Sequence, residues 1–367
     1  MRAVLIYKGF PDREFTKDPG FVMHYLAGEG YTSEIWCAQQ RGRKWFRPRI
    51  VSLGAPFFLK SLWRVFRRAR SIDVLVLFHT RPLNPLYGML YRLRNPRGVV
   101  YLKSDMDNTL LDLGKPSLLN YARRAKLLMN LRRVDVFSTE QEAVLALLMQ
   151  RYPRYAHKMV HVPNGYGDYV KVRHRALGKK EPIILAVGPV GSRQKGTDLI
   201  LKTLHLIARD LKGWKVILAG QVLDEYRRDV DRFLARHPAL RGSIEFRGHV
   251  SSREEMLSLY DRARIIFMPS RWETFSCALV EAAAYGCVIV GTPVGGVAEL
   301  TGKGAYGAVC PFEDPESYAR ELKRRMHDEE LRLREAKLTQ ANLEKRFTWK
   351  AIAKGLAKRL KEERAKK

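Results

Sequence analysis

Apolar residues in this chain fall into short continuous runs, separated by stretches in which they recur every three or four positions. The runs Arg2–Tyr7, Ser33–Cys37, Ile72–Phe78, Val99–Leu102, Val134–Ser138 and Met159–Val162 read as strands. So do Pro182–Val187, Lys215–Leu218, Ile244–Phe246, Ile265–Met268, Val288–Val290 and Ala308–Pro311. Helical periodicity predicts helices over Phe21–Ala27, Tyr121–Arg133, Gln141–Gln150, Asp224–Arg236, Met256–Arg264, Ser276–Tyr285 and Pro315–Arg325, with one more opening at Trp349. Strands without polar alternation, interleaved with helices, predict parallel sheets covered on both faces. At 367 residues the chain exceeds a comfortable single core, so two domains are expected.

The most informative stretch is 265–299, read as strand, loop, helix and strand. Glu273 lies in the loop and Glu281 inside the helix, among Leu279, Val280, Ala282, Ala283 and Ala284. A carboxylate in so apolar a setting needs a hydrogen-bonding partner. Two ribose hydroxyls of a nucleotide would serve, at roughly 1.5–3 kcal/mol for each charge-assisted bond, and the free N–H groups at the helix start suit a phosphate. The competing reading has both carboxylates solvated, or paired with Arg271 or another base. If Glu281 turned away from the crevice, or were locked to an arginine of its own domain, the function that this reading implies would go with it.

Charge is the loudest feature of the composition. The formal net charge of +29 is shared as +15 in residues 1–170 and +14 in residues 171–367. Such a field attracts nucleic acid, an anionic membrane or a diphosphate substrate, and charge alone does not choose among them. Within residues 41–70, Phe58, Leu62, Val65, Phe66 and Ala69 fall on one helical face, with Lys60, Arg64, Arg67 and Arg68 on the other. A basic, aromatic amphipathic helix of this kind suits either a peripheral contact with an anionic membrane or packing against a domain with its basic face solvated. Cys37, Cys277, Cys287 and Cys310 are widely spaced, with no CxxC, and read as free thiols of a reducing cytoplasm. No apolar stretch approaches the roughly 20 residues of a membrane span. A cytoplasmic protein, soluble or peripheral on the inner face of the membrane, is expected.

Two phosphate-binding patterns are excluded. No GxGxxG follows the first strand, and in GPVGSRQKGT the lysine precedes the glycine, so this is not a Walker loop. Gly188 and Gly191 nonetheless free the backbone to approach a ligand, Lys195 offers a point charge, and Gly196 or Thr197 caps a helix.

The pattern Pro269, Ser270, Glu273, Glu281, Gly286, Gly295, Gly296, Glu299 resembles the sugar-nucleotide site of retaining glycosyltransferases of family 4, the glycosyl transferases group 1. The likeness is strong over about 182–312 and weak before 134. It implies an α/β, GT-B architecture, two Rossmann-like doubly wound domains facing across a cleft. Residues 1–171 would form the acceptor domain, 172–182 a linker, 183–343 the nucleotide-sugar domain, and 344–367 a helix returning to the first domain. The reaction implied is hexosyl transfer from a nucleotide diphosphate sugar to a hydroxyl of a glycan or lipid-linked acceptor, with retention, no metal, no cofactor and no specific nucleic acid. Glu273 would orient the donor sugar, Glu281 the ribose, and Lys195 the diphosphate. The backbone N–H groups of Phe275 and Ser276 would hold the phosphate, beside Thr274. Gly248 and Val250 would border the nucleobase. Pro189 stands where the family has an arginine, and Arg193 is expected to supply that charge. In the first domain Gly20 replaces the family's Gly-Gly pair, and Asp105 is carried over from a His-Asp pair. His79, taken alone, reads as structural. A nucleotide-sugar epimerase or phosphorylase of the same architecture, and a basic membrane or nucleic-acid binding protein with a vestigial nucleotide site, are the alternatives.

Overall fold

The runs read as strands form two separate all-parallel sheets in the computed structural model, which describes residues 1–107, 117–168 and 177–367. The chain divides into two compact units, Met1–Gly167 with Trp349–Lys367, and Asp168–Thr348. Each has helices packed on a parallel sheet, as βαβ connections demand.

In the first unit the sheet order is β3-β2-β1-β4-β5-β6-β7. The strands are β1 (Arg2–Ile6), β2 (Thr32–Cys37), β3 (Arg49–Ser52), β4 (Val74–Phe78), β5 (Val99–Lys103), β6 (Val136–Thr139) and β7 (Met159–His161). Every residue of β4 and β5 is buried, which is why they read Val, Leu, Phe and Tyr throughout except for Lys103, the last residue of β5. The helices are α1 (Asp18–Gly28), α2 (Phe57–Arg68), α3 (Asn84–Arg94), α4 (Leu118–Arg133) and α5 (Glu142–Arg151). β3 escapes the hydrophobic pattern because it is a sheet edge with only Ile50 and Val51 apolar, inside the basic segment 41–70. α3 escapes it because Tyr87, Gly88 and Tyr91 supply its buried stripe. The C-terminal helix Trp349–Ala365 packs on α1, with the Trp349 and Phe21 rings 5.6 Å apart and the Tyr31 hydroxyl donating to Ala357 O at 3.3 Å.

The second unit has sheet order β10-β9-β8-β11-β12-β13. Its strands are β8 (Glu181–Val187), β9 (Lys215–Ala219), β10 (Ile244–Gly248), β11 (Ala263–Met268), β12 (Val288–Gly291) and β13 (Ala308–Val309). Its helices are α6 (Thr197–Leu206), α7 (Arg227–Arg236), α8 (Arg253–Arg262), α9 (Cys277–Ala284), α10 (Val297–Leu300), α11 (Pro315–His327) and α12 (Glu329–Arg346). Residues 172–176 of the expected linker lie outside the described residues. Its far end is not a linker: Lys180 is buried and donates to Tyr260 O, Asp261 O and Ala263 O at 2.8–2.9 Å. Among the described residues no helix is long and apolar enough to cross a membrane.

Candidate functional site

In the second unit the chain winds from β8 outward to β10 and then returns to β11 on the other side of β8. The β8–β11 boundary is therefore the switch point of the sheet, where the loops leaving the two strands part and expose a crevice at their carboxyl ends. Both loops are those singled out in the sequence. Lys195, from the loop after β8, pairs through Nζ with Oε1 of Glu273, from the loop after β11. Ser270 Oγ donates to the same oxygen at 3.1 Å. Gly188 has φ +140, and a Cβ there would lie 2.8–2.9 Å from three carbons of the Lys195 stem, so a bare glycine is what allows the lysine to lie across it. On the opposite flank a Cβ on Gly295 would meet Glu273 Cβ at 2.7 Å. Gly188, Pro189, Lys195, Thr197, Met268 and Ser270 border one small cavity.

Arg271 fastens the two loops together. Its guanidinium donates to both oxygens of Asp198 at 2.8 Å, to both of Glu313 at 2.5 and 2.9 Å, and to Arg193 O at 2.9 Å. Its backbone N–H donates to Gln194 O at 2.8 Å. These bonds raise the Arg271 pKa, and they hold the Asp198 carboxyl below its ordinary value. Arg271 is thus committed to Asp198 and Glu313. The Arg193 side chain points to solvent, while its carbonyl serves the clamp.

Two expectations are corrected here. Glu281 does have a partner inside its own unit: Arg253 Nη2, at the start of α8, donates to its Oε1 at 2.8 Å. No ribose is needed to make this carboxylate tolerable among its apolar neighbours, so its setting does not carry a transferase assignment. The Ser276 N–H is not open to a phosphate either, because it donates to Gly295 O at 3.0 Å. Ser276 Oγ instead caps α9 by accepting from Leu279 N at 3.3 Å. Phe275 is buried with its ring stacked 6.0 Å from Phe347, and Thr274 is half-buried beside it. Gly248 ends β10, where its carbonyl accepts from Gly220 N at 2.9 Å, and Val250 follows two residues later in the loop before α8.

The first unit has its own switch point, between β1 and β4. Beyond those strand ends His79 Nδ1 pairs with Asp105 Oδ1, and the Tyr7 hydroxyl lies 3.4 Å from His79 Nε2. His79 adopts φ +58, uncommon for a residue with a side chain, and Asn84 Nδ2 holds its carbonyl at 2.7 Å. The histidine that reads as structural when taken alone is therefore joined to the predicted Asp105. Burial, with Glu14 and Asp18 nearby, pushes the Tyr7 phenol up to about 12. Beneath lies a fully buried pair, Lys103 Nζ to Glu140 Oε1 at 2.5 Å, with Asp18 at 3.6 Å. Burial opposes the charge on Lys103, but Glu140 and Asp18 outweigh it and keep the ammonium charged. Gly20 sits within α1, where a Cβ would lie 2.3 Å from Glu14 O, so close packing accounts for the glycine.

Residues 171–342 match the sequence profile of the family Glycosyl transferases group 1. A D-inositol 3-phosphate glycosyltransferase of Corynebacterium urealyticum is 31% identical over 103 residues, covering 28% of this chain and 24% of that relative. The chain thus spans about a quarter of that relative's length. Among solved structures, a sucrose-phosphate synthase of Thermosynechococcus elongatus superposes with TM-score 0.74 at 17% identity over 100% of both chains. HepE of Anabaena, solved with UDP and glucose, superposes with TM-score 0.70 at 17% identity over 99% of this chain and 100% of its own. Residues 171–342, a little under half of the chain, thus resemble the group 1 glycosyltransferases in sequence, and the chain has the fold of GT-B proteins.

Proposed function

We propose that the protein is a retaining glycosyltransferase of family 4, moving a hexosyl group from a nucleotide diphosphate sugar to a hydroxyl of a glycan or lipid-linked acceptor. The observation that carries this is Lys195 paired with Glu273 at the switch point of the second unit. A cation for the diphosphate and a carboxylate for sugar hydroxyls stand side by side on the rim where such sheets bind ligands. Support comes from the group 1 profile over this unit and from HepE, solved with UDP-glucose. Glu281 carries no weight in this reading, because Arg253 of the same unit already pairs with it.

In the proposed reaction the bond from the anomeric carbon to the diphosphate oxygen breaks while the acceptor oxygen bonds to the same face of that carbon. The acceptor proton passes to the departing phosphate oxygen. Negative charge then grows on the diphosphate, where Lys195, Arg193 and the N-termini of α6 and α9 stabilise it more in the transition state than in the ground state. This charge set calls for no metal. In the first unit Asp105 and His79 take the acceptor hydroxyl. The test has two arms. A nucleoside diphosphate at millimolar concentration or below should raise the melting temperature by several degrees, and free nucleoside diphosphate should accumulate from the nucleotide sugar only when an acceptor is supplied. No shift with any nucleotide would leave a vestigial site, and product without acceptor would mean an epimerase or hydrolase.

A further inference from the structure

The exposed face of α2 and α3 in the first unit carries a second apolar stripe that the core does not use. α2 buries Phe57, Ser61 and Val65. Leu59, Trp63 and Phe66, at helical spacing on another side, are 63%, 60% and 38% exposed. Phe66 therefore leaves the face on which the helical pattern alone puts it. α3, packed beside α2, adds Met89 and Leu93, the latter 67% exposed. Arg67 sits 4.6 Å from the Trp63 ring, and Arg94, from the end of α3, sits 4.7 Å from the Phe66 ring, linking the two helices. The surroundings are one-sided in charge. Residues 35–104 contain 15 lysines and arginines and a single acidic residue, Asp73, which pairs with Arg364.

From this geometry we infer that the α2–α3 face docks on a bilayer surface containing anionic phospholipid, with Leu59, Trp63, Phe66 and Leu93 at the acyl boundary and Lys60, Arg67, Arg68 and Arg94 among the headgroups. A large aliphatic and aromatic stripe rimmed by long cations fits that interface, since arginine stems lie along apolar surface while their heads stay in the polar layer. Tryptophan belongs at the same depth. Nucleic acid would use the cations and leave the aliphatic stripe in water, and an acidic protein partner would have to supply an apolar groove as well. The charge of the segment singles out anionic lipid. This surface belongs to the first unit, and the inference does not rest on the transferase reading.

Flotation of the full chain tests it, using vesicles of phosphatidylcholine with and without phosphatidylglycerol. The protein should float with the anionic vesicles, stay down with phosphatidylcholine alone, and be released by salt. L59D/W63D should stop flotation while leaving the circular dichroism and the nucleotide-induced melting shift unchanged. R67A/R68A, which keeps the stripe, should weaken binding by about thirtyfold, from two headgroup charges. Flotation of L59D/W63D equal to the parent would overturn the assignment. So would a parent that never floats but forms a concentration-dependent dimer by light scattering, since the stripe would then be a contact between copies. Because the melting shift is read without vesicles, failure here is distinguishable from failure of the transferase reading.

Discussion

Replacing Lys195 separates what the Lys195–Glu273 pair does for folding from what it does for the ligand. Glu273 is 7% exposed, with Ser270 Oγ as a further partner, and the Lys195 side chain is 21% exposed. Breaking a fully buried pair costs about 3–5 kcal/mol. With the lysine partly in water, K195A should lose about 1–3 kcal/mol of stability, or roughly 2–12 °C in melting temperature for a unit of this size. K195M keeps the stem over Gly188 and should recover part of that packing loss. For the ligand, a charge-assisted bond of about 1.5–3 kcal/mol to the diphosphate corresponds to about 10- to 150-fold weaker nucleoside diphosphate binding in both variants. E273Q should do the opposite: it releases Lys195 from its anionic competitor, so the nucleoside diphosphate binds at least as well while transfer is lost. Titration calorimetry on folded protein, beside a product assay, reads both. A folded K195M that binds within about twofold of the parent, far inside the expected range, would refute the placement of the diphosphate on Lys195.

Three further outcomes are expected. R193A should weaken nucleoside diphosphate binding about as much as K195A does, and a neutral result at Arg193 alone by the same calorimetry would return it to the role of a solvated loop cation. With a thiol reagent at pH 8 the folded protein should label quickly at Cys277, which is exposed at the start of α9, while Cys37, Cys287 and Cys310 wait for unfolding, because burial raises their thiols. Peptide mapping should also show a nucleoside diphosphate slowing labelling at Cys277. For acid stability, the Asp198 carboxyl is depressed by Arg271, so its contribution is present above the unfolded value of about 3.9 and lost as pH falls through its lower folded value. Melting curves of D198N against the parent should differ most above about pH 4 and converge below it.

Local pattern was enough to find most strands, because a strand buried on both faces is apolar over most of its length, with polar residues such as Lys103 and Ser138 kept to its end. The same pattern passed over β3, too short and too basic at its edge, and α3, whose buried stripe is tyrosine and glycine. Gly188 and Lys195 were legible as a loop that could approach a ligand, while Glu273 and Gly295 were joined to them only through the resemblance to a known family. What the sequence by itself determined is thus the inventory: two series of buried strands, the glycine-bordered loops and the excess of positive charge. Which members meet was decided only by the tertiary structure. Setting β8 beside β11 brings Lys195 to Glu273 across 78 residues of chain. The packing of α8 against α9 puts Arg253 on Glu281, and the β1–β4 junction gathers Tyr7, His79 and Asp105. The physical reason is that periodicity along a chain records which residues are buried, whereas a side chain's partner depends on the order in which strands enter the sheet, which no local pattern carries.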